Sequence, residues 1–182
     1  GVDLPHKFKI AVGGCPNMCV KPDLNDLGIV GQRVPQVDLE KCRACKVCQV
    51  VKTCPMGDAQ IGPDGKITID ESVCNHCGRC VGACPFGAVT EGLTGYKVYI
   101  GGRWGKKVAH GRALDKIFTS EDEVMDLVER AILFFRDEGL SGERFADTVA
   151  RLGFDYVQDK LLTAPIDKEA ILAKSVTGGA TC

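Results

Sequence analysis

The chain has 182 residues, 45% of them apolar and 26% charged, and its 23 basic and 24 acidic residues leave a net charge of −1. This is ordinary globular composition for one domain or two small ones, and nothing in it calls for nucleic acid or a charged membrane surface as a partner. No apolar run reaches membrane-spanning length and no basic-apolar-small leader is seen, so no membrane insertion is expected. Eleven cysteines, all but Cys182 in short runs, suit a reducing cytoplasm better than a secreted disulfide scaffold. The start at Gly1, without an initiator methionine, is expected of a processed or truncated piece.

Residues 7–12 alternate, with Phe8, Ile10 and Val12 on one face and Lys7, Lys9 and Ala11 on the other, which predicts a strand. It runs into Gly13-Gly14-Cys15-Pro16-Asn17-Met18-Cys19. Paired glycines permit positive φ or close backbone approach. A helical turn after Pro16 would project Cys15 and Cys19 to one side, as half of a tetracysteine site. The structural alternative is two buried free thiols at a turn. Residues 32–41, with Pro35 and a short Val37-Asp38-Leu39 segment, read as a linker.

Two cysteine runs follow. The first is Cys42-Arg43-Ala44-Cys45-Lys46-Val47-Cys48, then five residues to Cys54-Pro55; the second is Cys74-Asn75-His76-Cys77-Gly78-Arg79-Cys80, then three residues to Cys84-Pro85. The second has the bacterial ferredoxin spacing, in which the fourth cysteine serves the other cluster. A C-x2-C-x2-C loop wraps three corners of an iron-sulfur cube and takes its fourth ligand from elsewhere. Cys42, Cys45, Cys48 and Cys84 are therefore assigned to one 4Fe-4S cluster, and Cys54, Cys74, Cys77 and Cys80 to another. Zinc and disulfides are the alternatives, but zinc favours two separated C-x2-C pairs over a triple.

Around these runs, Lys46, Val47, Val50 and Val51 predict a short helix and Arg79 to Ala83 a second one. A hairpin joins 59–61 to 66–70 through Pro63-Asp64-Gly65, and residues 87–91 return as an outer strand. His76 is expected to be a surface imidazole rather than a ligand, because both thiolate sets are complete. The pattern predicts a two-cluster ferredoxin fold with an internal pseudo-repeat.

Beyond Gly92, residues 96–100 predict a strand ended by Gly101-Gly102, followed by Arg103, Lys106, Lys107 and Arg112 within ten positions. The residues alone leave two readings open: a seat for tetrapyrrole carboxylates or an oxyanion, and a solvated basic loop. His110 is read as structural, since no neighbour in sequence would tune it. Ser120 and Glu123 predict a capping box. The helix after it buries Val124, Leu127, Val128, Ala131, Ile132 and Phe135 and stops at Gly139. A second helix spans 143–152 and ends at Gly153. The last stretch, 163–182, predicts a short charged helix and a Gly-Thr-rich end with Cys182 as a free thiol.

Residues 7–19, with Leu24-Asn25-Asp26-Leu27-Gly28-Ile29-Val30-Gly31, resemble the second half of the sirohaem motif of sulfite and nitrite reductases. Residues 96–105 and the helices after them look like the later part of the same half-domain. The resemblance implies that Cys15 ligates a third, sirohaem-coupled 4Fe-4S cluster, that Cys19 is its axial bridge to sirohaem, and that Asn17 is a hydrogen-bond partner of the cluster. It also implies that Gly101, Gly102, Arg103, Lys106 and Lys107 border the sirohaem, with Arg103 and Lys107 nearest the chemistry. The family's C-x5-C half is absent from this chain and is expected before Gly1.

The expected architecture is α+β: a sirohaem-reductase-like α/β half-domain (1–35 and 92–160) with an inserted bacterial dicluster ferredoxin-like domain (36–91) and a C-terminal helix and tail (161–182). An inserted ferredoxin resembles the dissimilatory and anaerobic types. The function so implied is passage of electrons through two clusters to a sirohaem centre, for six-electron reduction of sulfite to sulfide or nitrite to ammonia. An electron donor protein and a homo- or hetero-oligomer go with it. A non-enzymatic ferredoxin-type carrier with an α/β docking scaffold is the alternative, and a zinc module a third reading.

Overall fold

A computed structural model describes residues 2–174; the Gly-Thr-rich end and Cys182 lie outside the described residues. Among those described, the chain forms two compact units, one of residues 2–14, 18–30 and 96–174 and one of residues 15–17 and 31–95.

The first unit is built on the sheet order β1-β2-β5-β6. β1 (Ile10–Gly13) runs parallel to the start of β2 (Leu27–Val37), with Ile10 opposite Leu27 and Gly13 opposite Val30. The end of β5 (Val89–Ile100) runs antiparallel to β6 (Arg112–Phe118), with Tyr96 opposite Phe118 and a register shift between Lys97 and Tyr99. Four helices follow: α2 (Glu121–Glu138), α3 (Phe145–Leu152), α4 (Phe154–Leu162) and α5 (Lys168–Ala173). Sheet and helices close over one core that includes Leu27, Val98, Leu127, Phe135, Phe145 and Val157. Phe8 joins it against Phe135 and Phe145, with ring centroids 5.8 and 5.1 Å away.

Several expectations change here. The first strand begins at Ile10 rather than Lys7, and Ile10 and Val12 are exposed on an edge strand. Residues 32–37 are not a linker but the second half of β2. Pro35 is tolerated because β1 pairs only as far as Val30, so no partner strand on that side asks for its missing N–H. The expected strands at 87–91 and 96–100 are one continuous strand, β5. Glu123 does not reach the Ser120 backbone; it accepts from the Thr119 N–H at 2.8 Å, while Ser120 Oγ caps the Glu123 N–H at 3.2 Å. Helix α4 falls between the expected elements. Gly153, at φ 91, ends α3 and also starts α4, a conformation that an L side chain would resist.

The second unit holds α1 (Gln49–Thr53) and an antiparallel hairpin of β3 (Ala59–Ile61) and β4 (Ile67–Ile69), in the predicted place. Its core is small: Val50, Ala59, Ile67, Cys80 and Val89, with other cysteines packed against it. The five residues between Cys48 and Cys54 fold as α1 itself, so Lys46 and Val47 stay in the cysteine loop and the helix buries Val50. The expected helix at 79–83 is absent. The shorter spacer there forms consecutive turns, Val81 N–H to Gly78 O and Ala83 N–H to Cys80 O, because three residues between thiols leave no room for a helical turn. No helix among the described residues is long and apolar enough to cross a membrane.

Candidate metal centres

The eight ferredoxin-type cysteines separate into two quartets. Cys42, Cys45, Cys48 and Cys84 line one recess, which opens on about 740 Å³ of space. Cys54, Cys74, Cys77 and Cys80 line another, which is nearly closed. These are the quartets of the crossed assignment, each taking three thiols from one loop and one from the far end of the other run. Among the described residues, no three His, Cys, Asp or Glu side chains converge as a single ion requires. Three thiols from one C-x2-C-x2-C loop with a fourth from the other run suit a polynuclear cluster better than tetrahedral zinc, which favours separated C-x2-C pairs.

Both loops use the same backbone device. Ala44 and His76, each the residue before the second cysteine of its run, take left-handed φ values of 47° and 57°. The His76 N–H thereby reaches Cys74 Sγ at 3.4 Å. Hydrogen bonds to ligand sulfur are one of the ways a protein sets a cluster's potential. The His76 ring is not at the surface as expected: its side chain is 14% exposed, and Nε2 lies 3.1 Å from Glu71 Oε2.

The second recess is held from outside. Arg33 of β2 donates its N–H to His76 O at 2.8 Å and pairs with Cys77 as an isolated bridge. Its side chain lies across Gly78, where a Cβ would come within 2.5 Å of Arg33 Cδ, and its guanidinium meets Glu91 at 2.7 Å. Asp58 is buried beside the quartet and accepts from the Cys54 thiol. Burial pushes the Asp58 carboxyl up, but hydrogen bonds from Cys54 and Cys74 outweigh this and hold it below the usual carboxylate range. Burial first, and then the Asp58 hydrogen bond, push the Cys74 thiol up to about 12. Such a thiol keeps its proton at neutral pH, and a metal bound in this recess would have to displace it.

Cys15, Asn17 and Cys19 are all exposed on the loop after β1. Turns rather than a helix follow Pro16, and Met18 at φ 53° interrupts any helical path between the two thiols. Gly101 and Gly102 are both walled by the chain itself. A Cβ on Gly101 would meet Val149 at 3.2 Å, and one on Gly102 would collide with Asp23 O.

Of the basic group, Lys106 and Lys107 are exposed, whereas Arg103 Nη1 donates to both oxygens of Asp147, at 2.9 and 2.7 Å. Arg112 stacks over Phe154, 3.9 Å from the ring centroid. His110 has a partner after all, Asp23 Oδ2 at 2.6 Å. Sequence reasoning also missed Asp26 and Arg144, a buried pair at 2.6 Å, in which Asp26 Oδ2 also accepts the Lys9 N–H. The two residues lie 118 positions apart, and no local signal pointed to the pair.

The chain is similar to known proteins along most of its length. The chain is 36% identical over 152 residues to the coenzyme F420-dependent sulfite reductase of Methanocaldococcus jannaschii, covering 82% of this chain and 24% of that protein. It is 32% identical to one subunit of the anaerobic sulfite reductase of Salmonella typhimurium, covering 94% of this chain and 52% of that one. A crystal structure of dissimilatory sulfite reductase I has the same fold, with a TM-score of 0.61 at 23% identity over 94% of this chain and 45% of the other. The chain thus spans from about a quarter to about half the length of these relatives. The family model for the nitrite and sulphite reductase 4Fe-4S domain matches residues 1–168, and the chain belongs to that family.

Proposed function

We propose that this chain is the electron-transferring part of a sirohaem-dependent sulfite reductase. In this reading Cys42, Cys45, Cys48 and Cys84 hold one 4Fe-4S cluster and Cys54, Cys74, Cys77 and Cys80 a second. When bound, the clusters supply one-electron relay chemistry. The observation that carries this reading is the separation of the eight thiols into two recesses, each lined by four. The chain's own residues bind and insulate: α1 and the β3-β4 hairpin bury one side of the first recess, and Arg33 and Asp58 close the second. Sulfite is favoured over nitrite as substrate because the named relatives are sulfite reductases.

Cys15 and Cys19 are proposed as two thiolates of a shared sirohaem-coupled centre completed outside this chain, with Cys19 as the axial bridge. Asn17, Gly101, Gly102, Arg103, Lys106 and Lys107 are proposed to border it. Arg103 would meet an anionic ligand only by sharing or leaving Asp147, so Lys106 and Lys107 are the readier contacts.

The test is composition followed by substitution. Anaerobically purified chain should carry about eight iron and about eight acid-labile sulfide, the content of two cubane clusters. Zinc in place of iron would reject the reading. In the full-length protein, Cys19→Ser should abolish sulfite reduction while leaving those eight iron atoms bound; unchanged activity would remove Cys19 from the centre.

A further inference from the structure

The two recesses differ in how they meet solvent. In the second, none of the four cysteines is exposed and Cys80 is buried. In the first, Cys45 is exposed, and around it Val47, Ile61 and Phe86 remain 54%, 46% and 49% exposed. Three large apolar side chains ringing one cavity mouth are more than the scattered apolar exposure of an ordinary surface, and such patches mark interaction sites.

The chain segment that carries Cys42, Cys45 and Cys48 is basic. Between Glu40 and Asp58 there is no acid, while Lys41, Arg43, Lys46 and Lys52 all fall in that span. Lys41 is held by Asp38 at 2.9 Å. Arg43 and Lys46 are exposed and have no ion-pair partner among the described residues, and Arg43 lines the recess itself. The chain as a whole carries a net charge of −1, so this positive field is local. An apolar centre with a charged rim is the anatomy of a protein interface, and a basic segment on that rim steers a partner of opposite sign.

We propose that the mouth of the Cys42, Cys45, Cys48 and Cys84 recess is the docking face for an acidic one-electron carrier protein, and that electrons enter the chain here rather than at the second recess. The inference rests on the reading that both recesses hold clusters. A second copy of this chain is a poor occupant, because a two-fold contact through this mouth sets Arg43 and Lys46 of each copy against the same residues of the other. The transfer is balanced without further reactants: the reduced carrier loses one electron, the group held by the four thiols gains it, and no bond forms or breaks.

The experiment uses the full-length, cluster-loaded protein under anaerobic stopped-flow conditions, with a reduced acidic bacterial ferredoxin as donor and dithionite as a small reductant that needs no docking. The double charge reversal Arg43→Glu with Lys46→Glu should slow reduction by ferredoxin about tenfold at low salt and flatten its salt dependence. Phe86→Ser should slow it several-fold, about as expected when an apolar anchor is lost. Iron content and dithionite reduction should stay unchanged in both. Arg79→Glu, on an exposed residue between Cys77 and Cys80, should change the ferredoxin rate less than about twofold. The proposal is overturned if the double reversal leaves the ferredoxin rate intact, if Arg79→Glu slows it equally, or if light scattering shows the wild type self-associating through Phe86. If dithionite reduces no cluster in the wild type, the cluster reading itself has failed, which separates the two failures.

Discussion

The two units reach stability by different routes. The first closes a core of large side chains, with Phe8, Phe135 and Phe145 in mutual contact and the sheet packed beneath the helices. The second has one very short helix, one short hairpin and five buried core residues, one of them Cys80. A region of about 65 residues with so few apolar contacts lies where metals or cross-links usually supply what the core cannot. The contrast teaches that the second unit needs something beyond its apolar core: bound clusters would act as that missing core as well as redox groups, whereas the first unit should fold without them.

The largest effect that would sharpen this contrast is cofactor removal. Anaerobic iron chelation should unfold the second unit, so that the β3 and β4 amides exchange freely while those of α2 stay protected; hydrogen exchange read by mass spectrometry tests it. Equal protection of both units in the chelated protein would break the comparison. Next in size is Arg144→Met, which strands Asp26 as an uncompensated buried charge in the first unit. It should cost about 3–5 kcal/mol in denaturant melts without changing iron content, and Asp26→Leu on top of it should recover most of the loss.

Gly78→Ala comes third. It places a methyl group into Arg33 at a residue with φ 69°, and should destabilise the second unit by about 1–3 kcal/mol, read as faster iron release. The smallest effect is acid sensitivity of the first unit. The Arg151 guanidinium, 2.9 Å away, holds Glu143 down to about 2. Its folded value lies below its unfolded one, so its contribution is full above about pH 4.5 and is lost as pH falls through about 2. With Arg151 partly solvated, the loss should be on the order of 1 kcal/mol, and Glu143→Gln should remove this part of the pH dependence of the melting temperature.

The parts of the site that lie close in sequence were readable before any fold was known. The quartets follow from cysteine spacing, the hairpin from Pro63-Asp64-Gly65, and α2 from Ser120 and its apolar face. What could not be read depends on distance along the chain. Arg33 reaches the second cysteine loop across 43 or more positions, His110 finds Asp23 across 87, and Arg144 finds Asp26 across 118. Local rules also misjudged punctuation. Pro35 suggested a linker where it sits inside a strand with one free side, and Gly153 suggested an end where one helix hands over to the next. The glycines at 101 and 102 suggested room for a cofactor, and the chain's own Val149 and Asp23 stand beside them.

The left-handed turns at Ala44 and His76 have a consequence for engineering. The backbone writes the same turn before the second cysteine of both loops, so Arg43 and Ala44 in one correspond to Asn75 and His76 in the other, but the loops part at the next step, where Gly78 takes φ 69° and its counterpart Lys46 does not take a positive φ. Asn75 and His76 could be grafted in place of Arg43 and Ala44 with that turn kept, whereas Lys46 could not enter at position 78, where the Arg33 side chain already fills the space of a Cβ. The first loop could then be retuned without redesign of its frame.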